Sequence, residues 1–317
     1  MSKNWAGRYA TRIQSMQGSA IREILKLTEE PDVISFAGGL PAPELFPSER
    51  VKEASIQVLD QHGSRALQYS VTEGYPPLRE MVCEQMRAKG VPCTIDNILI
   101  LSGSQQALDL IGKIIIDPGD KILVEEPTYL GALQAWNAYQ AGYITVATDD
   151  EGLRMDALEE ALKTGEGKFL YALPNYQNPT GISLSPERRV ELVRLAAQYN
   201  TPIVEDNPYG ELRFEGEESS LLIALDAKGR ATGEDGTMID GNVLYLGTFS
   251  KTLCPGFRVA WIIGPVEVIQ HVIQAKQGAD LHTSTYTQMV AYQTARDGFV
   301  EAHVEELREV YRERRDL

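Results

Sequence analysis

From Asn97 onward the chain alternates between two hydrophobic rhythms. Short apolar runs at Ile98–Leu101, Lys121–Glu125, Tyr143–Ala147, Phe169–Leu173, Pro202–Glu205, Val243–Gly247 and Val259–Gly264 have the length and β-branched content of strands. Longer stretches with apolar residues at helical spacing lie between and after them: Ser102 to about Ile116, Tyr129–Ala141, Met155–Lys163, Pro186–Tyr199, Pro265–Gln277, Ser284–Arg296 and Phe299–Leu317. Strands alternating with helices of this length predict an α/β fold, with a mainly parallel seven-stranded sheet covered on both faces. Ligands on such sheets sit beyond the carboxyl ends of the strands. Upstream, Ser19–Thr28 reads as a helix ended by Pro31, and Ile34–Pro47 as a loop with two adjacent glycines and three prolines. Ser48 caps a helix to about Gln61, Leu67–Gly74 is extended, and Tyr75–Lys89 is helical. Glu215–Asn242 is polar and reads as a surface excursion. The last helical pattern reaches Leu317 without a C-cap, so the expectation is that the chain is cut off there.

Composition narrows the function classes. The 317 residues are 43% hydrophobic and 24% charged, as in a globular protein with a substantial core. A net charge of −15 opposes binding to nucleic acid or anionic membrane. No apolar run is long enough for a membrane span, and the first residues lack a signal-peptide pattern. Cys83, Cys93 and Cys254 are dispersed, which suggests a reducing compartment, the cytoplasm, rather than a disulfide framework. The four histidines show no ligand spacing, so no metal site is expected.

The candidate chemistry gathers after the strands. Val243–Gly264 carries Lys251 in a small polar turn with Thr248 and Ser250, and Arg258 follows. A Lys between two buried strands is unfavourable unless a partner or a covalent bond removes its charge. An amine beside phosphate-binding donors is what a pyridoxal phosphate enzyme needs. A surface hairpin with a solvated Lys fits this stretch alone equally well. Ser102–Gln106 opens a helix after the first strand, where free N–H groups bind anions, although an ordinary βα loop capped by Ser has the same pattern. Tyr129 places a ring at the same sheet edge, or simply packs on the core. The turn Asn178-Pro179-Thr180-Gly181 aims an amide that could donate to a phenolate oxygen. Asp206 ends an apolar strand, as a loop anchor or as the acid that keeps a pyridine nitrogen protonated, with Tyr209 in reach of the phenolate. Asp206 and Lys251 are 45 positions apart on different strand ends, so both could meet one flat ring.

With these residues in order, the sequence resembles fold type I pyridoxal 5'-phosphate-dependent aminotransferases of class I/II, in the subgroup of 2-aminoadipate, kynurenine and broad-specificity enzymes. The motifs are SFAGGLP at Ser35–Pro41, QYSVTEGYPPLRE at Gln68–Glu80, SGSQQALDL at Ser102–Leu110 and EEPTY at Glu125–Tyr129. PNYQNPTG at Pro174–Gly181, EDNPYGELRF at Glu205–Phe214 and GTFSKTL with Arg258 complete the set. The resemblance spans about Arg12 to Leu317. It implies that Lys251 bonds the cofactor and then moves the substrate proton, and that Asp206 holds the ring nitrogen protonated. Asn178 and Tyr209 would bind the phenolate oxygen, and Tyr129 would stack on the ring. Ser104, Gln105, Ser250 and Arg258 would bind the phosphate. Tyr69 would reach the phosphate of a neighbouring subunit, which makes the active unit a homodimer. Gly39 would lie in a loop that closes over substrate, Asn178 would face it, and Arg22 would stand near its side chain. The expected substrates are an L-amino acid and a 2-oxo acid.

The family's smaller second domain continues beyond Leu317 and carries the Arg that clamps the substrate carboxylate. The implied division is therefore 1–47 with 299–317 as parts of an incomplete small domain, and 48–298 as the cofactor-binding domain. Alternatives are a cofactor-binding fragment without turnover, and racemase, lyase or decarboxylase chemistry on the same scaffold. A cofactor-dependent transcription regulator is disfavoured, since no helix-turn-helix precedes Ser19 and the chain is acidic.

Overall fold

A computed structural model describes residues 5–14, 16, 18, 39–228, 230, 233 and 241–317. The expected helix Ser19–Thr28, with Arg22, lies outside the described residues, as does the loop before Gly39. The sheet contains β1 (Ile98–Leu101), β2 (Lys121–Glu126), β3 (Gly142–Asp149), β4 (Gly152–Leu153), β5 (Gly167–Ala172), β6 (Ile203–Asp206), β7 (Val243–Thr248) and β8 (Ala260–Ile263). Their spatial order is β1-β8-β7-β6-β5-β2-β3-β4. Strands β3, β2, β5, β6 and β7 run parallel, and β8 lies antiparallel between β7 and β1. These are the seven expected strands. β4, a two-residue antiparallel edge on β3, adds an eighth.

Every residue of β1, β6, β7 and β8 is buried because both sheet faces are covered. Alternate residues serve opposite cores: Leu99, Leu101, Val204, Leu244 and Leu246 point to one, and Ile98, Ile100, Ile203, Val243 and Tyr245 to the other. The first core is roofed by α3 (Ser104–Ile115), α4 (Leu130–Asn137) and α8 (Val266–Gln277), counting α1 (Ser48–Ala66) and α2 (Pro76–Ala88) as the preceding helices. The second core is covered by α2 with α5 (Met155–Lys163), α6 (Pro186–Gln198), α7 (Leu222–Lys228), α9 (Thr285–Ala295) and α10 (Phe299–Asp316).

Three boundaries differ from the sequence pattern. Helix α1 continues through a break at His62 (φ −138°, ψ 18°) to Ala66 rather than ending at Gln61. Helix α4 stops at Asn137, and the turn after it carries Gln140 at φ 62°. The polar stretch after Glu215 contains α7, whose Leu222, Ile223 and Ala224 are buried. Its first amides donate to the buried Glu205 carboxylate, from Leu222 and Ile223, each at 3.0 Å. Near the ends of the chain, the Ala42 amide donates to the Tyr311 hydroxyl at 3.0 Å, and Glu44 pairs with Arg314. Among the described residues, no helix is long and apolar enough to cross a membrane and no cluster could hold a metal ion.

Candidate active site

The parallel pairing of β6 with β7 sets Asp206 beside Leu246, and the turn after β7 carries Lys251. Asp206 ends β6 and is buried. Its Oδ2 accepts a 2.7 Å hydrogen bond from the Tyr171 hydroxyl, while Oδ1 is buried with no hydrogen-bond partner. Burial pushes this carboxyl up to about 6, against the pull of Tyr171 that favours the charged form. The turn that follows β7 is set by Thr248, whose Oγ1 accepts from the Ser250 amide at 3.0 Å and lies 3.2 Å from the Val259 carbonyl. Lys251 Nζ stands 5.6 Å from the centre of the Tyr209 ring. Burial holds its amine below the ordinary lysine value, and the positive charge of Arg258 lowers it further. Burial raises the Tyr209 hydroxyl, with Tyr129 and Asp206 adding to it and a hydrogen bond with Asn178 opposing. Lys251, Asp206, Tyr209, Asn178 and Tyr129 thus form one cluster at the carboxyl edge of the sheet.

A cradle for an anion adjoins it. Gly103, at φ 95°, turns the chain from β1 into α3. Ser104 opens the helix, and its Oγ is buried without a partner. Free amides and the helix dipole make this end attractive to negative charge. Arg258, in the left-handed region at φ 52°, lays its guanidinium against Gly103 and reaches the Ser102 carbonyl at 3.5 Å. Ser250 is half-buried. Gln105 is exposed, and its side chain donates to the Gly131 carbonyl at 2.8 Å.

Other expected residues lie apart from this cluster. Gly39 is exposed. Tyr69 is 79% exposed, and its ring packs edge-on against His282 at 6.0 Å. Arg22 lies outside the described residues.

The structure also brings in residues that the sequence pattern hid. Tyr171 sits inside the apolar run of β5, where a buried phenol must find a partner, and that need is the signal that could have exposed it. Glu125, near the end of β2, accepts from the Leu173 amide at 2.9 Å, and burial pushes its carboxyl up to about 8. Behind the cradle, the buried Lys276 bonds to the half-buried Gln106, 170 positions away, and to Asp280, four positions on, whose side chain is partly exposed.

Two bare buried oxygens test whether pyridoxal phosphate fits. Asp206 Oδ1 needs a donor, as a protonated pyridine nitrogen is, and Ser104 Oγ needs a partner where a phosphate would lie. A lysine with a lowered amine value stands between them in the chain's topology. The residues fit the group.

Known proteins resemble this chain in sequence and fold. Residues 31–317 match the family described as aminotransferase class I and II. The aromatic-amino-acid aminotransferase 1 of Thermococcus litoralis is 45% identical over 314 residues, covering 97% of this chain and 72% of that protein. The 2-aminoadipate transaminase of Thermus thermophilus is 44% identical over 311 residues, covering 98% of this chain and 75% of that protein. Among solved structures, a Pyrococcus horikoshii kynurenine aminotransferase in complex with PMP superposes with a TM-score of 0.90 at 41% identity, over 99% of this chain and 76% of that one.

Proposed function

The chain belongs to the class I and II aminotransferase family, and we propose from that premise that it moves an amino group between an L-amino acid and a 2-oxo acid, with glutamate and 2-oxoglutarate as one pair. The observation that carries the reading is the bare, buried Oδ1 of Asp206 at the end of the strand beside the one leading to Lys251. Pyridoxal 5'-phosphate, when bound, supplies the electron sink that acidifies the substrate Cα–H bond. The chain's residues do the rest. Lys251 Nζ is the covalent anchor and, once released, its lowered proton affinity suits it to take the Cα proton near neutral pH and return it. Asp206 Oδ1 keeps a proton on the ring nitrogen, and Tyr171 holds the other oxygen of that carboxylate. Asn178 and Tyr209 hold the phenolic oxygen, and Tyr129 covers the ring. The Ser104 and Gln105 amides, Ser250 and Arg258 take the phosphate.

Arg22, Gly39 and Asn178 are assigned to the substrate. The exposed ring of Tyr69 supports its assignment to a second copy's phosphate, and hence a homodimer. The names of the relatives support 2-aminoadipate and aromatic amino acids as candidate donors, and branched ones are candidates with them. A cytoplasmic location belongs to the same proposal and rests on three unpaired cysteines.

The test is a spectral half-reaction screen of the cofactor-loaded protein with glutamate, 2-aminoadipate, aromatic and branched amino acids. Bleaching of the cofactor band, with one glutamate formed per donor consumed when 2-oxoglutarate is added, is the expected result. Borohydride reduction should fix the cofactor on the peptide containing Lys251, and Lys251→Ala should lose both the label and the half-reaction. Product without glutamate would point to lyase or racemase chemistry instead.

A further inference from the structure

Lys276 is a fully buried lysine in a protein whose other described lysines reach solvent. Its ammonium is satisfied by three oxygens, each at 2.8 Å: Gln106 Oε1 and both carboxylate oxygens of Asp280. The same Gln106 oxygen accepts the Ser102 amide at 2.8 Å, and its amide nitrogen donates to Asp280 Oδ2 at 2.7 Å. Asp280 Oδ2 also accepts from the Ser102 hydroxyl at 3.1 Å, and that hydroxyl lies 3.1 Å from Thr283 Oγ1. Gln106 and Asp280 thus link Lys276 to Ser102, the residue before the turn that presents Ser104 Oγ and the first amides of α3. Arg258 grips the opposite side of the same turn through the Ser102 carbonyl and Gly103. Burial would raise the Asp280 carboxyl, but its bonds to Lys276 and Gln106 outweigh that and hold it below the usual carboxylate range.

A charged pair under a helix start has an electrical consequence. The cradle must bind a phosphate, yet the Asp280 carboxylate lies against the Ser102 hydroxyl. Lys276 neutralises that acid and leaves the helix end net attractive to an anion. We propose that Lys276, Asp280 and Gln106 are positioning residues for the cofactor phosphate, holding the Ser102–Ser104 turn in its binding shape without touching the cofactor. The proposal rests on the reading that this turn takes the phosphate.

The test separates the two ideas by comparing pyridoxal 5'-phosphate with pyridoxal, which lacks the phosphate but still reacts with Lys251. The cofactor is removed from the purified 317-residue chain and rebinding of each compound is titrated by absorbance. Wild type should strongly favour the phosphorylated form, and equal affinity would overturn the cradle reading itself. In Lys276→Met and Asp280→Asn, the dissociation constant for pyridoxal 5'-phosphate should rise by about tenfold or more, while that for pyridoxal changes less than about twofold. Parallel weakening of both compounds would overturn the positioning role, as would unchanged discrimination. Asp280→Asn retains an oxygen for Ser102 and Gln106 and serves as the milder variant. Failure of both variants to fold, read by circular dichroism, would show the web to be structural and would equally overturn the proposal.

Discussion

Tyr171 and Asp206 illustrate how much one hydroxyl decides at a buried carboxylate. Without Tyr171, Asp206 would lose its one observed partner, and burial alone would act on it. Hydrogen bonds to charged groups are worth about 1.5–3 kcal/mol net. Tyr171→Phe should therefore raise the Asp206 midpoint by about one unit or more in the cofactor-free protein. The carboxyl infrared band, assigned by its loss in Asp206→Asn, reads this directly. In the loaded enzyme, on the proposed pairing of Asp206 with the ring nitrogen, the same change would make Asp206 a better proton acceptor and so a competitor for the proton that the ring nitrogen needs. The half-reaction should slow by about tenfold. Because that proton is shared inside one pair, the deficit should stay level across pH. An unmoved infrared midpoint would mean that Tyr171 only fills space.

At the scale of elements, the junction of β1 and α3 is the most constrained. Gly103 stands at φ 95°, and an added Cβ would meet the Arg258 guanidinium. A side chain at positive φ costs roughly 1–2 kcal/mol, and the collision also displaces Arg258, the side chain proposed to take the phosphate. Gly119, at φ 93° with open space around it, isolates the strain. Gly103→Ala and Gly119→Ala should lower stability similarly in urea, but only Gly103→Ala should weaken pyridoxal 5'-phosphate binding, by about tenfold or more. Equal binding losses would remove the link between backbone and cradle.

Strands such as β1, β6 and β7 were readable within a residue or so because burial on both faces makes them unbroken apolar runs. Helix α7 was not, since its few buried residues are held by Glu205, 17 positions back in the chain. Helix α1 passes His62 and Gly63, which look like a stop in the sequence. Residue types at strand ends made Lys251, Asp206 and Tyr209 visible as a group. Gln106 and Asp280 escaped notice because 174 residues separate them, and a glutamine on an amphipathic helix or a carboxylate in the turn after α8 ordinarily faces water. Tyr171 escaped because a tyrosine in an apolar run passes for core.

For the whole molecule, residues 48–298 hold the described members of the candidate cluster and cradle, which supports the proposal that they form the cofactor-binding unit. The contacts of Ala42 and Glu44 with α10 support pairing the two chain ends as the start of a second unit. The sheet also carries an electrostatic burden: Glu125, Glu205 and Asp206 are all buried near its carboxyl edge, with carboxyls raised by burial to about 8, 7 and 6 respectively. A carboxyl raised on folding binds its proton more tightly in the native state. Its stabilising contribution is complete below the unfolded value and is lost as pH climbs through the folded one. Carboxylates lowered by partners, such as Asp149 at about 2, act in the opposite sense but are ionised in both states above pH ~6. Between pH ~6 and ~8, Glu205 and Glu125 therefore dominate, at about 1.4 kcal/mol per pH unit each while they titrate. Glu205 loses about one unit in that window and Glu125 about two, so the cofactor-free protein should lose roughly 4 kcal/mol. The urea midpoint should fall from pH 6 to pH 8, the reverse of ordinary acid denaturation. Glu125→Gln, which keeps an oxygen for the Leu173 amide, should remove over half of that fall. A midpoint that holds or rises across the window would mean these carboxyls are ionised throughout, with their amide bonds outweighing burial.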